Sequence, residues 1–358
     1  ADFFDYLAFL CGNGDLNPTG ATCTSPNVGG PIDPSDLNLA SIGIAQLAGV
    51  QTVTRTVTNV GPAGTYTVSI DAPPGVAVDV EPDQLTLATG ATGSYTVTFT
   101  SEDDVVFDEW TFGSLTWSDG AAHAVRSPIA IKPTQISAPE EIALTGTSGT
   151  EDYEVTFGYN GDFATAVHGL VVANEETRTV VDDPASDITV ALETEVGIQL
   201  HTITVPAGTE HLRTSLFDDE VDGAVDDLDL YLYPPGEDPL EDGEFIALSG
   251  GGTSEEQIDI PSPEAGDWTL VVHGWETDGA DAIYTLFTWV VGSADAGNLA
   301  AVPSTATAVV GETATITLSW GPPLVPLTAD TRYLGIVRYS DGVEEFGGTF
   351  VSINTGIT

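Results

Sequence analysis

A chain of 358 residues that is 41% hydrophobic and carries 13 Phe, 10 Tyr and 6 Trp has apolar material for two or three cores, which excludes wholesale disorder. Its 55 Asp and Glu against 7 Lys and Arg give a formal net charge of −48. That excludes nucleic acid and anionic membrane as partners, because both are held by cations neutralising phosphate. Divalent cations are the natural counter-charge, and a saline habitat accounts for the same number.

The chain opens with Asp2 to Leu10, an acidic start followed by closely spaced apolar residues, which predicts one or two helical turns and is the only helix the pattern suggests. Cys11 and Cys23, the two cysteines, bracket a run of turn formers. A disulfide there would stabilise by about 3 kcal/mol and imply an oxidising, extracellular compartment. A metal pair or two inert thiols are the alternatives, and a zinc site is disfavoured without neighbouring His or further Cys. There is no methionine, no signal peptide and no long apolar span, so a fragment of a longer exported precursor is expected. Residues 1–36 read as a connecting segment.

From Leu37 a period of two takes over. Val53, Arg55 and Val57 alternate with threonines, and Tyr66-Val68-Ile70, Val76-Val78-Val80, Tyr95-Val97-Phe99, Leu115-Trp117 and Ile129-Ile131 follow, separated by Gly- and Pro-containing turns. About seven short strands predict a β-sandwich of immunoglobulin or fibronectin type III style over 37–135. Segments around Tyr153-Val155-Phe157, Leu200 to Thr204, Leu228-Leu230-Leu232 and Trp268-Leu270-Val272, with Asp-rich loops between, predict a second, jelly-roll-like sandwich over 136–296. Alternation returns in Thr315 to Trp320 and Tyr333 to Tyr339, giving a small terminal sandwich over 297–358 that is too short to be stable without packing on a neighbour. The fold class expected is all-β, tandem β-sandwiches with a short N-terminal helical segment.

Several stretches carry a resemblance. Asp2 to Cys11 (DFFDYLAFLC), Asp36-Leu37-Asn38, Val53 to Gly61 (VTRTVTNVG), Ala72 to Val76 (APPGV) and Gly113 to Gly120 (GSLTWSDG) closing with Val125 to Pro128 resemble the carboxy-terminal half of secreted bacterial subtilisin-like serine proteases, the peptidase S8 family, including its fibronectin-like domain. Val205 to Gly208, Asp227 to Leu232 and Gly266 to Val272 are similar to the bacterial pre-peptidase C-terminal domain, and Tyr333 to Gly342 resembles the closing sandwich of the same proteases. The resemblance implies a calcium-associated sandwich with a role in secretion, stability or substrate contact. The catalytic Asp, His and Ser of such enzymes need an α/β fold that this pattern does not contain. Gly146-Thr147-Ser148 and Gly252-Thr253-Ser254 look like the nucleophile turn but lack the residues expected after it, and read as loops. No catalytic residue is therefore assigned.

His123, His168, His201, His211 and His273 are scattered without metal-ligand spacing and read as structural; His273, close to Trp275, is the one to inspect first. The dense acids are more informative. Asp218, Asp219, Asp222, Asp226, Asp227 and Asp229 crowd around Gly223, and calcium takes about six to eight oxygen ligands from carboxylates and loop carbonyls. They are the candidate calcium ligands, with solvated carboxylates as the bland reading. In a strand, Asp227 and Asp229 share one face while Leu228 and Leu230 share the other. Trp110, Trp117, Trp268, Trp275, Trp289 and Trp320 read as core anchors unless they form an exposed strip.

Three functions stay open on the sequence. The first is a non-catalytic, stabilising or substrate-contacting tail of an extracellular endopeptidase, partnered by the protease domain of its own precursor. The second is a released fragment that assembles with copies of itself into a fibre or surface layer through β-strand edges. The third is an extracellular module that binds protein or polysaccharide.

Overall fold

The computed structural model describes residues 2–223, 225–241 and 243–356. Helix α1 (Phe3–Asn13) is longer than its apolar pattern suggests, because both ends are capped. The Asp2 carboxylate accepts from the Phe4 and Asp5 amides at 2.8 and 3.1 Å, Asp5 accepts in return from the Asp2 amide, and Gly14 ends the helix at φ +88°. Cys11 and Cys23 form a disulfide with 5.8 Å between Cα atoms, and with Ala8 and Val28 they make a small core. This knot takes the place of the sheet packing that so short a segment lacks.

The first sandwich is contiguous in sequence. It comprises β1 (Ile42–Leu47), β2 (Val50–Thr58), β3 (Gly64–Asp71), β4 (Val76–Glu81), β5 (Gln84–Leu87), β6 (Thr92–Ser101), β7 (Thr111–Ser118) and β8 (Ala124–Pro133). One sheet runs β1-β8-β7-β3-β5 and the other β2-β6-β4. Alternate residues of β6, namely Tyr95, Val97 and Phe99, face Leu115 and Trp117 of the opposite sheet, as a period of two requires.

The remaining chain is not two sandwiches in succession. After β9 (Ile136–Ser137), β10 (Glu141–Thr145), β11 (Gly149–Phe157) and β12 (Gly161–Val172), the chain leaves to build a separate eight-stranded unit. That unit holds β13 (Asn174–Val181), β14 (Ile198–Val205), β15 (Thr209–Leu216), β16 (Asp227–Tyr233), β17 (Ala247–Ser249), β18 (Glu256–Pro261), β19 (Gly266–Glu276) and β20 (Asp281–Gly292). The chain then returns as β21 (Leu299–Val302), β22 (Thr305–Ala308), β23 (Thr313–Trp320), β24 (Arg332–Ser340) and β25 (Glu345–Asn354), which complete the sandwich it had left. The host sheets are β10-β25-β24-β12-β22 and β21-β23-β11-β9; the inserted sheets are β13-β20-β15-β18 and β14-β19-β16-β17.

The expected division at 136–296 and 297–358 is therefore corrected to a host of 136–172 plus 299–354 around an insertion of 174–292. The reason is physical. Tyr153, Val155 and Phe157 of β11 and Phe163 of β12 share one core with Ile316, Leu318, Val337 and Val351. The Tyr153 hydroxyl meets that of Tyr339 at 2.8 Å and Tyr339 meets Thr349 at 2.6 Å. A segment of about sixty residues that could not bury its own apolar faces thus finds its complement on the far side of the insertion. The two crossings lie together: the Gly169 amide donates to the Ala294 carbonyl at 2.9 Å, and Ala296 donates to Gly169 at 3.0 Å.

A second helix, α2 (Ile188–Thr194), departs from the single-helix reading. Its β-branched residues disguise it, but Asp187 caps the Thr189 amide at 2.9 Å and Ala191 is buried in a small cluster with Tyr233 and Val271.

Candidate functional site

The acidic loop leads into β16, and the structure separates its six candidate ligands into two groups. Asp218 and Asp219 sit in an exposed 3₁₀ turn, where Asp219 pairs with Arg332 of the host at 3.3 Å. Asp222 is exposed and accepts from the Ile283 amide at 2.7 Å, tying the loop to β20. These three serve the loop's attachment. Asp226, Asp227 and Asp229 turn inward instead, next to acids that the local sequence does not reveal.

Asp226 is 5% exposed; its Oδ1 accepts from the Asp278 amide at 2.7 Å while its Oδ2 has no partner. A Cβ on Gly223 would fall 2.0 Å from that Oδ2, so any larger residue there would displace the Asp226 carboxylate. Ser254, from the Gly-Thr-Ser turn that looks like a nucleophile elbow, is buried and donates to the Asp226 carbonyl at 2.8 Å, which is a structural role. Burial, and then the charges of Asp229, Glu256 and Glu276, push the Asp227 carboxyl up to about 6, and its Oδ1 is buried without a partner. Glu256, on β18, is buried and accepts from the Ser249 hydroxyl and the Gly251 amide.

His273 on β19 is fully buried between two carboxylates from distant segments. Its Nε2 meets Asp183 Oδ2 at 3.0 Å; Asp229 Oδ2, at 3.7 Å, acts on the partnerless Nδ1 through charge. Burial works against the imidazolium, but the two carboxylates outweigh it and hold the imidazole above its ordinary value. Asp183 is held below the usual carboxylate range in spite of burial by the Asp187 and Ala185 amides and by His273. The indole of Trp275 stands edge-on at 5.8 Å.

A hard cation suits these oxygens in kind, and two of them are buried without a donor. In number the fit is partial: among the described residues no three His, Cys, Asp or Glu side chains are placed to share one ion. A calcium ion at Asp226 and Asp227 would complete its shell with backbone carbonyls and water.

All five histidines meet an acidic side chain, in the pairs His123–Asp119, His168–Glu210, His201–Glu176, His211–Asp259 and His273–Asp183. Among the described residues none hydrogen-bonds a serine hydroxyl. Trp117, Trp268, Trp289 and Trp320 are core residues, whereas Trp110 and Trp275 are exposed on different sandwiches and form no strip.

The inserted unit is seated on the host by a shared apolar cluster that includes Phe287, Trp289 and Val291 from one side and Leu334 and Ile336 from the other. Three of the seven Lys and Arg residues lie on this seam. Arg213, whose side chain is 5% exposed, reaches Glu141 of the host at 2.8 Å and Asp259 at 2.7 Å. Arg338 and His168 of the host both reach Glu210, at 3.3 and 2.6 Å, and Arg332 stacks 3.8 Å from the centre of the Phe217 ring. In so acidic a chain, that concentration of cations holds two negatively charged bodies together.

These two adjoining sandwich units, preceded by a third, define a class of multi-domain β-protein. Residues 36–131 match the fibronectin type-III domain family and residues 198–274 the bacterial pre-peptidase C-terminal domain. The chain is 37% identical over 134 residues to the subtilisin-like protease SBT2.2 and 40% identical over 139 residues to SBT1.7, both of Arabidopsis thaliana; each alignment covers 36% of this chain. The homology is to C-terminal regions of these plant proteases. The chain spans only 15% to 18% of their length. Among solved structures, the secreted serine protease VesC from Vibrio cholerae aligns over 71% of this chain and 49% of its own at 13% identity, with a TM-score of 0.21. Among the described residues no helix is long and apolar enough to cross a membrane.

Proposed function

We propose that this chain is the non-catalytic accessory region of an extracellular subtilisin-like serine endopeptidase, acting on the enzyme's stability or on its contact with substrate. The observation that carries the reading is the joint presence of a fibronectin type-III unit and a pre-peptidase C-terminal unit in a chain homologous to C-terminal regions of subtilisin-like proteases. The Cys11–Cys23 disulfide supports an oxidising, extracellular setting.

The test is to capture the native species from culture fluid with an antibody against this chain and treat it with a fluorophosphonate probe. A species larger than this chain that carries the label is expected. A species of this chain's own mass without label would overturn the reading.

A second element of the proposal is a calcium ion at Asp226 and Asp227, with Asp229 and Glu256 beside them. The partnerless buried oxygens of Asp226 and Asp227 favour it. Bound there, calcium would supply countercharge only; the chain's own part is to hold the β16 loop against β18.

A further inference from the structure

We infer that the cleft between the host sandwich and the inserted unit binds an extended, positively charged peptide segment, which adds as a strand to the free edge of β10. The inference stands on the geometry of this cleft and holds whether or not a protease domain accompanies the chain. The cleft encloses about 540 Å³, within the range of ligand sites. One wall is β10 and the end of β25; the facing wall is the inserted unit, through Phe217, Asp218, Glu255 and Gln257.

β10 is the outermost strand of its sheet and pairs only with β25. The direction of its backbone groups follows from two hydrogen bonds. The Phe350 amide donates to the Glu140 carbonyl at 2.9 Å, and the Gly146 amide donates to the Asn354 carbonyl at 3.0 Å. In a parallel ladder with this register, Ile142 and Leu144 therefore spend both backbone groups on β25, flanked by the Glu140 carbonyl and the Gly146 amide. The N–H and C=O of Glu141, Ala143 and Thr145 point the other way, out of the edge. These same three residues line the cleft and are exposed. The cleft lies over the sheet face that these three side chains share with Ser352, Asn354 and Arg332, so a strand added at this edge would send alternate side chains toward it.

Charge selects the occupant. The cleft carries Glu141, Asp218, Asp219 and Glu255 against Arg213 and Arg332, four carboxylates to two guanidiniums, and both guanidiniums already hold an acid. A second copy of the chain, at −48, would be repelled. A peptide with lysine or arginine at alternate positions would place its cations toward Asp218 and Glu255, the two cleft acids that hold no guanidinium, while its backbone pairs with β10.

The probe is a fluorescein-labelled peptide of about seven residues alternating Lys and Val, long enough to span β10 at roughly 3.4 Å per residue, followed by anisotropy with the intact chain. Saturable binding is expected, and none for the Glu-Val counterpart. Ala143→Pro removes an outward N–H that the fold does not use, and proline is tolerated at such an edge position. It should leave the melting temperature in place and weaken the peptide roughly tenfold or more. If that variant fails to fold, the same loss is expected when the wild-type chain is offered a peptide N-methylated at alternate residues along one edge, with charge and side chains kept. Binding unchanged by both alterations would assign the attraction to undirected charge and overturn the site, as would absence of saturable binding by the Lys-Val peptide.

Discussion

The first sandwich and the host sandwich are built from similar alternating strands, yet they are assembled differently. Residues 42–133 close their sheets within one continuous stretch, whereas the host joins β9 to β12 with β21 to β25 across an insertion. The contiguous unit owes its integrity to its own core. The host depends on an excursion returning to within hydrogen-bond distance of where it left, and on a seam that holds the excursion in place. Split assembly also sets the host's edge strand β10 beside a cleft whose facing wall is the inserted unit.

The comparison can be broken most severely in the host core. Phe163, buried 5.0 Å from the Phe157 ring, is on β12, before the insertion. Phe163→Ala should remove about 3–5 kcal/mol. Calorimetry should show the host transition falling while the transition of the first sandwich stays, and a fall of the first sandwich alone would contradict the split assembly. Arg213→Ala leaves Glu141 and Asp259 without their shared cation and should cost about 3 kcal/mol, at the low end for a broken buried pair because both acids are partly solvated. The loss should appear in chemical denaturation as separation of inserted and host transitions; a single unshifted transition would remove the seam from the account.

Smaller effects sharpen the electrostatic contrast between the seam and the acid cluster. Calcium in hundredfold excess over its dissociation constant should stabilise the inserted unit by about 2.7 kcal/mol and leave the first sandwich unmoved. Equal shifts of both, in thermal melts with and without chelator, would mean general screening. Asp227 gives the smallest effect and a definite sign. Its folded carboxyl, near 6, lies above its unfolded value, so the folded state binds the extra proton and stability falls as pH rises from about 4 to 6. Asp227→Asn should abolish that part of the slope and stabilise the metal-free chain above pH 6; an unchanged difference between the two proteins across that interval would refute the assignment.

Much of the fold was legible because a period of two is a local signal: β2, β6 and β23 can be read residue by residue from Val, Thr and Ile alternation. The insertion was not, since nothing near Tyr153 announces that its partner is Ile316. Helix α2 was obscured by Ile188, Thr189 and Val190, whose strand preference is overridden by the Asp187 cap and the burial of Ala191. For the candidate site, acid density in the loop before β16 was visible, but its sorting was not. Which aspartates turn inward depends on Glu256, His273 and Asp183, brought in by β18, β19 and the turn after β13.

Amide hydrogen exchange of Thr315 to Trp320 is the most direct test of the split host. In the intact chain these β23 amides pair with β11 and β21 and should be protected; in a fragment of residues 297–356 alone, which lacks β11, they should exchange at unfolded rates. Protection persisting in the fragment would contradict the account, because it would mean that the terminal strands form a sandwich of their own.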